Sequence, residues 1–173
     1  ILAEIDEDSP AFQVLRQAGF AMYAWQRVWK LPRLTGQAQA KAWRVVRPQD
    51  WPAVQSLHAQ IVPALMHPVE KLPGQVSGLV CYNDTSLQAY ASTNTGMQGT
   101  WLQPLVLPDS PCFPGQILSL LLAGGVPDNR AVYVCVRSYQ AWLAGSLEEL
   151  GAEAGPRQAV MVKRLTKLVK ELQ

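Results

Sequence analysis

The chain has 173 residues, of which 49% are hydrophobic and 16% are charged. This composition supplies enough apolar surface for a packed core and excludes a disordered chain, and the length allows one full domain plus a fragment of another. A net charge of +2 does not give the broad basic field of nucleic-acid-binding proteins, so we expect no nucleic-acid partner. No apolar run approaches the ~20 residues of a membrane-spanning helix, so we expect no membrane span.

The first part of the chain predicts a strand, a helix and a second strand. Residues 1–6 alternate as a short strand, and Pro10 is typical of the first turn of a helix. Gly19 ends that helix, and the alternating residues Phe20 to Leu31 predict a long strand. Because the chain begins in what resembles the middle of a domain, we expect a further segment upstream.

A stretch without periodicity separates this unit from the remainder. Residues 34–41 predict a linker between a fragment, residues 1–33, and a domain, residues 42–173. That domain opens with a strand near Trp43, followed by a helix capped at Asp50. The apolar positions that recur at helical spacing are Val54, Leu57, Ile61 and Leu65, with Pro63 as a point where the helix can bend or break.

The domain continues with an antiparallel meander and then alternates helices with strands. The predicted elements are strands at Leu79 to Tyr82, Leu87 to Thr93 and Thr100 to Leu107, a proline-rich corner at Pro108 to Pro114, a helix at Gly115 to Ala123, a strand at Ala131 to Val136, a helix from Tyr139 to Gly151, a strand at Ala159 to Val162 and a final helical segment from Leu165 to Leu172.

The two ends of the chain share one plan: strand, helix, glycine, long strand. Setting Gly19 against Gly151 aligns Leu15 with Leu147 and superimposes the preceding strands in sequence. A repeated supersecondary unit of this kind indicates two related copies.

The order of elements resembles the GNAT N-acyltransferase superfamily, and SPAFQVLRQAGF followed by AMYAWQRVWKL resembles the end of such a domain. The resemblance implies an α/β fold with a central mixed sheet flanked by helices. It also implies a tandem arrangement, in which residues 1–33 are the C-terminal fragment of an upstream copy and residues 42–173 form a second, degenerate copy.

The resemblance implies a cytoplasmic N-acyltransferase that takes acetyl-CoA or another acyl-CoA and an amine acceptor. By analogy with the family, the residues that would hold the acyl-CoA are Leu105, Val106, Leu107, Gly115 and Gln116. In the corner, however, Gly115 is the one glycine that remains, and Pro111 and Pro114 remove N–H donors that a pyrophosphate needs. We therefore expect weak or lost activity in this copy.

The catalytic residues stay unassigned. Leu15 and Leu147 occupy the positions of the family's usual tyrosine acid, and neither can give up a proton. Tyr139 is a weak substitute, and the strand TWLQPLVL carries no carboxylate. The alternative to an enzyme is a non-catalytic module that binds a small ligand or forms a homodimer through the strands of residues 1–31.

Histidines and cysteines do not form a metal pattern. His58 and His67 are too far apart to share a helix face, with Glu70 as the only carboxylate close in sequence, so we expect no zinc site. The three cysteines show no paired spacing, and we expect them to be small buried residues in a reducing compartment. They are Cys81, Cys112 and Cys135.

Overall fold

The computed structural model describes residues 1–32, 43–72, 77–110 and 131–165, which form a single mixed sheet with helices on its faces. The strands are β1 (Leu2–Asp6), β2 (Ala21–Lys30), β3 (Trp43–Val45), β4 (Leu79–Asn83), β5 (Ser86–Gly96), β6 (Gly99–Val106), β7 (Val132–Arg137) and β8 (Glu153–Val162). The α-helices are α1 (Pro10–Gln17), α2 (Trp51–Ile61) and α3 (Leu143–Glu149). The predicted α/β architecture is confirmed.

The strand order across the sheet is β1-β8-β2-β7-β6-β5-β4-β3. The strands β4, β5 and β6 form the predicted antiparallel meander, β3 pairs antiparallel with β4, and β7 runs parallel to β6. A parallel neighbour requires a crossover between the two strands. One half of the sheet is therefore the antiparallel set β3 to β6, and the other half consists of β1, β8, β2 and β7 from the two repeated units.

The repeated units interleave their strands. The β8 strand lies between β1 and β2, and β2 lies between β8 and β7, so each unit's second strand separates the two strands of the other. Gly19 and Gly151 both adopt a left-handed conformation, with φ of +84° and +75°. Gln26 and Gln158 follow these glycines at the same interval and pair with each other across the β2–β8 ladder. The predicted repeat is thus a local two-fold arrangement within one sheet.

The hydrophobic core has two layers, one on each face of the sheet. On one face, Leu143 and Leu147 of α3 pack against Val134 of β7 and Leu102 of β6. On the other face, α2 packs against β4, β5 and β6 through residues that include Val54, Leu57, Val80, Tyr90 and Leu105. The α-helix of the first unit differs, because α1 has no buried residue.

The helix break predicted as an option at Pro63 occurs, and two other predicted boundaries are wrong. The α2 helix ends at Ile61, and Leu65 is 73% exposed, because Val62 precedes a proline and takes an extended conformation with ψ of 125°. Residues Ser138–Gln140 form a 3-10 turn before α3, and β8 begins at Glu153 instead of Ala159 because it pairs along the whole of β2.

Several predictions fall outside the described residues, and nothing structural is concluded about them. These are the linker at residues 34–41, the corner from Pro111 onward with the helix at Gly115 to Ala123, and most of the final helical segment. The assignment of residues 1–33 to a separate copy, with a linker between two domains, stays a prediction.

The cysteines differ from one another. Cys135 is a buried free thiol, whereas Cys81 is disulfide-bonded, so the prediction that the cysteines are simple buried thiols is wrong for Cys81.

Among the helices that the structure describes, none has the length and apolar content to cross a bilayer.

Asp50 anchors the segment between β3 and α2. Its carboxylate is 3% exposed and accepts hydrogen bonds from both terminal nitrogens of Arg44, each at 2.7 Å, from the Arg47 N–H and from the Tyr82 hydroxyl. The Arg44 guanidinium is the main cause that holds the pKa of Asp50 well below its usual value, with burial opposing it. A lowered folded-state pKa stabilises the fold above the unfolded pKa of 3.8 and loses that stabilisation as pH falls below it.

We therefore expect Asp50→Asn to lower the free energy of unfolding at pH 7 by about 2 kcal/mol, since hydrogen bonds to a charged group are lost. The difference between the two proteins should shrink as pH falls below about 4, because the wild type then also loses the stabilisation that ionised Asp50 provides. Urea denaturation from pH 7 to pH 2 measures both effects. The exposed Asp84→Asn is the matched control, and a constant difference between wild type and Asp50→Asn at all pH values would contradict the assignment.

Candidate functional site

The parallel strands β6 and β7 separate after a short paired stretch. Their register runs from Thr100–Val132 to Leu102–Val134, while β6 continues to Val106 and β7 continues to Arg137. Beyond the paired stretch, β7 is held on its other side by β2. The two strands therefore open a cleft in the middle of the sheet.

Few backbone groups of β6 face this cleft. The Thr100 N–H donates to the Ala131 carbonyl beside β7, and the Leu107 N–H donates to the Gln88 carbonyl of β5. The backbone N–H and C=O groups of the even-numbered residues of β6 therefore point toward the cleft. Pro104 is one of them and has no N–H. The Val106 N–H is consequently the donor that this stretch of β6 presents to a ligand.

Gln140 bridges the cleft from the opposite side. It lies in the 3-10 turn after β7 and is 2% exposed, and its Nε2 donates to the Val106 carbonyl at 2.8 Å. Among the residues that the structure describes, none donates a hydrogen bond to its Oε1. A buried acceptor without a partner destabilises by about 1–3 kcal/mol, so a ligand N–H that reached Oε1 would recover that energy.

Three of the five predicted acyl-CoA residues lie at the end of β6 that borders this cleft. Leu105 and Val106 are buried, in the α2-side and α3-side cores respectively, and Leu107 is half-buried. Gly115 and Gln116 lie outside the described residues. Their role as an acyl-CoA site stays a prediction.

A buried carboxylate stands at the centre of a polar cluster on the α2 face. Glu70 lies in a turn after α2, and its backbone N–H donates to the Met66 carbonyl at 2.7 Å. Its side chain is 10% exposed and accepts from the Arg137 Nε at 2.9 Å and from the Tyr139 hydroxyl at 2.8 Å. Gln103 of β6 donates to the same carboxylate. Three donors thus converge on the Glu70 carboxylate.

Arg137 joins this carboxylate to the first unit. Strand alternation sends Val136 into the α3-side core, so Arg137 points to the opposite face. There its Nη2 forms a 3.0 Å ion pair with Glu4 of β1, and its Nη1 donates to Gln26 of β2. The Gln26 Nε2 in turn donates to Gln158 at 2.9 Å. Residues 1–31 therefore complete the cluster.

Burial and charge set the protonation states. Burial would lower the pKa of Arg137, but Glu70 and its other neighbours raise that pKa above its usual value. Burial, followed by the Glu70 charge, raises the pKa of Tyr139 far above its usual value. Burial raises the pKa of Cys135 to about 12, so this thiol is protonated at neutral pH and is not a nucleophile.

A cavity of about 470 Å³ adjoins the cluster. The residues that give it its chemistry are His58, Glu70, Tyr90, Trp101, Gln103 and Leu105. His58 and His67 each place Nε2 2.7 Å from a backbone carbonyl, which fixes an N–H on that nitrogen. Within the described ranges, no group of His, Cys, Asp or Glu side chains has the composition of a metal site.

Sequence reasoning identified part of this site. Tyr139 lies in it, and Glu70 does also, although the sequence indicated Glu70 only as a companion of the histidines. Arg137 and Gln103 were missed. The available signal was Arg137 itself, a charged residue that ends the apolar strand VYVCVR.

Comparisons with known proteins find relatives by structure alone. No family model and no curated protein matches the sequence. A GCN5-related N-acetyltransferase from Sphaerobacter thermophilus matches with a TM-score of 0.53 and 13% identity, over 92% of this chain and 58% of that one. A GNAT-family protein from Novosphingobium aromaticivorans matches with a TM-score of 0.61 and 13% identity, over 95% of this chain and 74% of that one.

A third match is an acetyltransferase from the GNAT family of Colwellia psychrerythraea, with a TM-score of 0.57 and 11% identity, over 92% of this chain and 63% of that one. The fold is that of the GCN5-related N-acetyltransferases. At this identity the likeness extends to the GNAT fold alone, and the chain spans 58% of the length of the Sphaerobacter protein.

Proposed function

We propose that this chain binds an acyl thioester of coenzyme A in the cleft between β6 and β7 and transfers the acyl group slowly to an amine. The GNAT fold supports this proposal. The observation that carries it is the Gln140 Oε1, a buried acceptor at a cleft between splayed parallel strands, to which no described residue donates. An amide N–H of the pantetheine arm is the type of group that would satisfy it.

In the transfer step, the amine nitrogen attacks the thioester carbonyl carbon, the carbon–sulfur bond breaks, and the thiol leaves with a proton while the amide forms. The Val106 N–H is the donor available for the carbonyl oxygen in this stretch of β6. Glu70 already accepts hydrogen bonds from three donors, so its role in this proposal is to orient the amine through a further hydrogen bond. Orientation would therefore supply most of the rate.

Tyr139 takes a different role from the acid for which it was the weak candidate. Its hydroxyl donates to Glu70 Oε2 at 2.8 Å, so its proton is already engaged with that carboxylate. With Tyr139 in that role, no described side chain takes the part of a dedicated acid. Slow turnover follows from this arrangement.

A second function is favoured by one specific feature. The Gln140 Nε2 occupies the Val106 carbonyl and Pro104 has no N–H, so the β6 edge is largely closed to backbone pairing with pantetheine. On this view the chain is a non-catalytic module that binds a small ligand in the 470 Å³ cavity or forms a homodimer.

Calorimetry with acetyl-CoA separates the two functions. We expect wild type to bind, and Gln140→Leu to bind about fivefold more weakly, since one net hydrogen bond is worth about 1 kcal/mol. Gln60→Leu, an exposed change on α2, is the control and should leave binding unchanged. No heat and no thermal shift at millimolar acetyl-CoA would leave only the non-catalytic module.

Thiol release in the presence of simple primary amines then measures turnover. We expect Glu70→Gln to raise the KM for the amine more than it lowers kcat, because the proposed role of the carboxylate is to position the neutral amine by accepting a hydrogen bond from its N–H.

A further inference from the structure

The 470 Å³ cavity has a floor that two neighbouring strands form. Three cross-strand pairs of the β5–β6 ladder line it, and their side chains share one side of the sheet because directly opposite residues point to the same face. The pairs are Tyr90–Leu105, Ser92–Gln103 and Asn94–Trp101. The first pair is buried, whereas the other two are half-buried or exposed. The floor therefore runs from an apolar inner end to a polar outer end that carries one indole.

The outer part of the floor offers neutral groups to a ligand. Ser92 has a hydroxyl and Asn94 a primary amide, and neither side chain forms a hydrogen bond with another described residue. The Trp101 ring has no aromatic or cationic partner among the described side chains. Trp101 also lines a second cavity, of about 920 Å³, so its ring is accessible. These groups fit a ligand with hydroxyls on its rim and C–H groups on its face.

The Glu70 carboxylate lies beside this floor. Gln103 donates to its Oε1, and Gln103 is separated from Trp101, on the same face of β6, by about 7 Å along the strand. A carboxylate has about four acceptor positions, and Gln103, Arg137 and Tyr139 occupy three of them. One N–H of a ligand can therefore still bind to Glu70. A ligand of one six-membered ring that covers Trp101 is long enough to reach it.

We propose that this cavity binds an amino sugar, with one face of the sugar ring on Trp101, hydroxyls toward Ser92 and Asn94, and a single primary amine toward Glu70. Among the described lining residues Glu70 is the only carboxylate, so a ligand with several ammonium groups would leave all but one of them without a counter-charge. The inference rests on the proposed function for one point, that this ligand is the acyl acceptor. In that step the sugar amine becomes an amide, and the thiol leaves with the proton that the amine loses.

The first test compares glucosamine with two analogues, each of which lacks one of its features. Cyclohexylamine keeps the ring and the amine without the hydroxyls, and methyl glucoside keeps the hydroxyls without the amine. All three are titrated calorimetrically into the full chain without acyl-CoA. We expect glucosamine to bind at least about tenfold more tightly than either analogue, since each analogue loses hydrogen bonds. Equal affinity for either analogue, or no glucosamine binding at tens of millimolar, would overturn the inference.

Variants then locate the site. Asn94→Leu should weaken glucosamine binding by about fivefold and leave cyclohexylamine binding unchanged, because the amide contacts hydroxyls alone. Gln88→Leu makes the same kind of change on β5 outside the cavity and should bind as wild type does. Trp101→Leu should weaken glucosamine binding by about tenfold, whereas Trp101→Phe keeps a ring and most of the affinity. If Trp101→Leu does not fold, the exposed Asn94 decides. Unchanged glucosamine affinity in Asn94→Leu would refute the assigned site.

Thiol release from acetyl-CoA separates this inference from the proposed function. Glucosamine that binds as expected but releases no thiol would support the assigned ligand and contradict the proposed acyl transfer. Thiol release that is as fast with cyclohexylamine as with glucosamine would support acyl transfer and contradict the amino sugar as its acceptor.

Discussion

Replacing Arg137 with Leu should lower the free energy of unfolding by about 3–5 kcal/mol, because it leaves buried partners of a charged network without a counter-charge. Arg137 is 8% exposed and contacts Glu70, Glu4 and Gln26. Without the guanidinium, the Glu70 carboxylate, whose side chain is 10% exposed, has no ion-pair partner at that position. Its remaining hydrogen-bond donors are neutral and do not replace the lost positive charge. Chemical denaturation monitored by circular dichroism at pH 7 measures the change.

The matched control is Arg157→Leu. The Arg157 side chain is 47% exposed and contacts Glu7 at 3.5 Å, so its loss should change stability by no more than about 1 kcal/mol. The double variant Arg137→Leu with Glu70→Leu should recover part of the loss, because no lone buried charge remains. Costs that simply add in the double variant would show that the pair is not coupled.

The second large effect should appear at Leu147. This side chain is fully buried in the α3-side core, and Leu147→Ala should lower the free energy of unfolding by about 3 kcal/mol through lost burial and a residual cavity. Leu15 is its counterpart in the first unit, aligned through Gly19 and Gly151, but α1 buries none of its residues. Leu15→Ala should therefore change stability by less than about 1 kcal/mol.

Thermal and urea unfolding of both variants provides the comparison. Since sequence position within the repeat and side-chain chemistry are the same, a difference between the two leucines isolates the contribution of burial. Equal losses would mean that α1 is covered in solution by another surface. That outcome would support the predicted homodimer through residues 1–31, and sedimentation analysis of the wild type would then test it directly.

Local signals predicted most elements of the fold. Pro10 and Gly19 bounded α1, and alternating hydrophobicity predicted β2 and β7. The errors occurred where partners decide the length of an element. The β8 strand begins at Glu153, before the predicted Ala159, because it pairs along the whole length of β2. The sequence of residues 153–158 has no alternating pattern that would predict this pairing.

The site was less predictable because its parts are distant in sequence. Glu70 and Arg137 are separated by 67 positions, and Arg137 and Gln26 by 111. Each residue alone has an ordinary explanation as a surface or turn residue. Only the strand order, which inserts β2 beside β7, brings Gln26 within reach of the Arg137 guanidinium.

The sequence by itself determined the α/β class and the repeated strand–helix–glycine–strand unit, since both depend on local pattern and residue type. The tertiary structure alone decided that the two units exchange strands within one sheet and that a buried carboxylate, a guanidinium and two cavities meet beside β6. The physical reason is that strand partnership is a long-range choice, set by the edges that remain available after the local elements have formed.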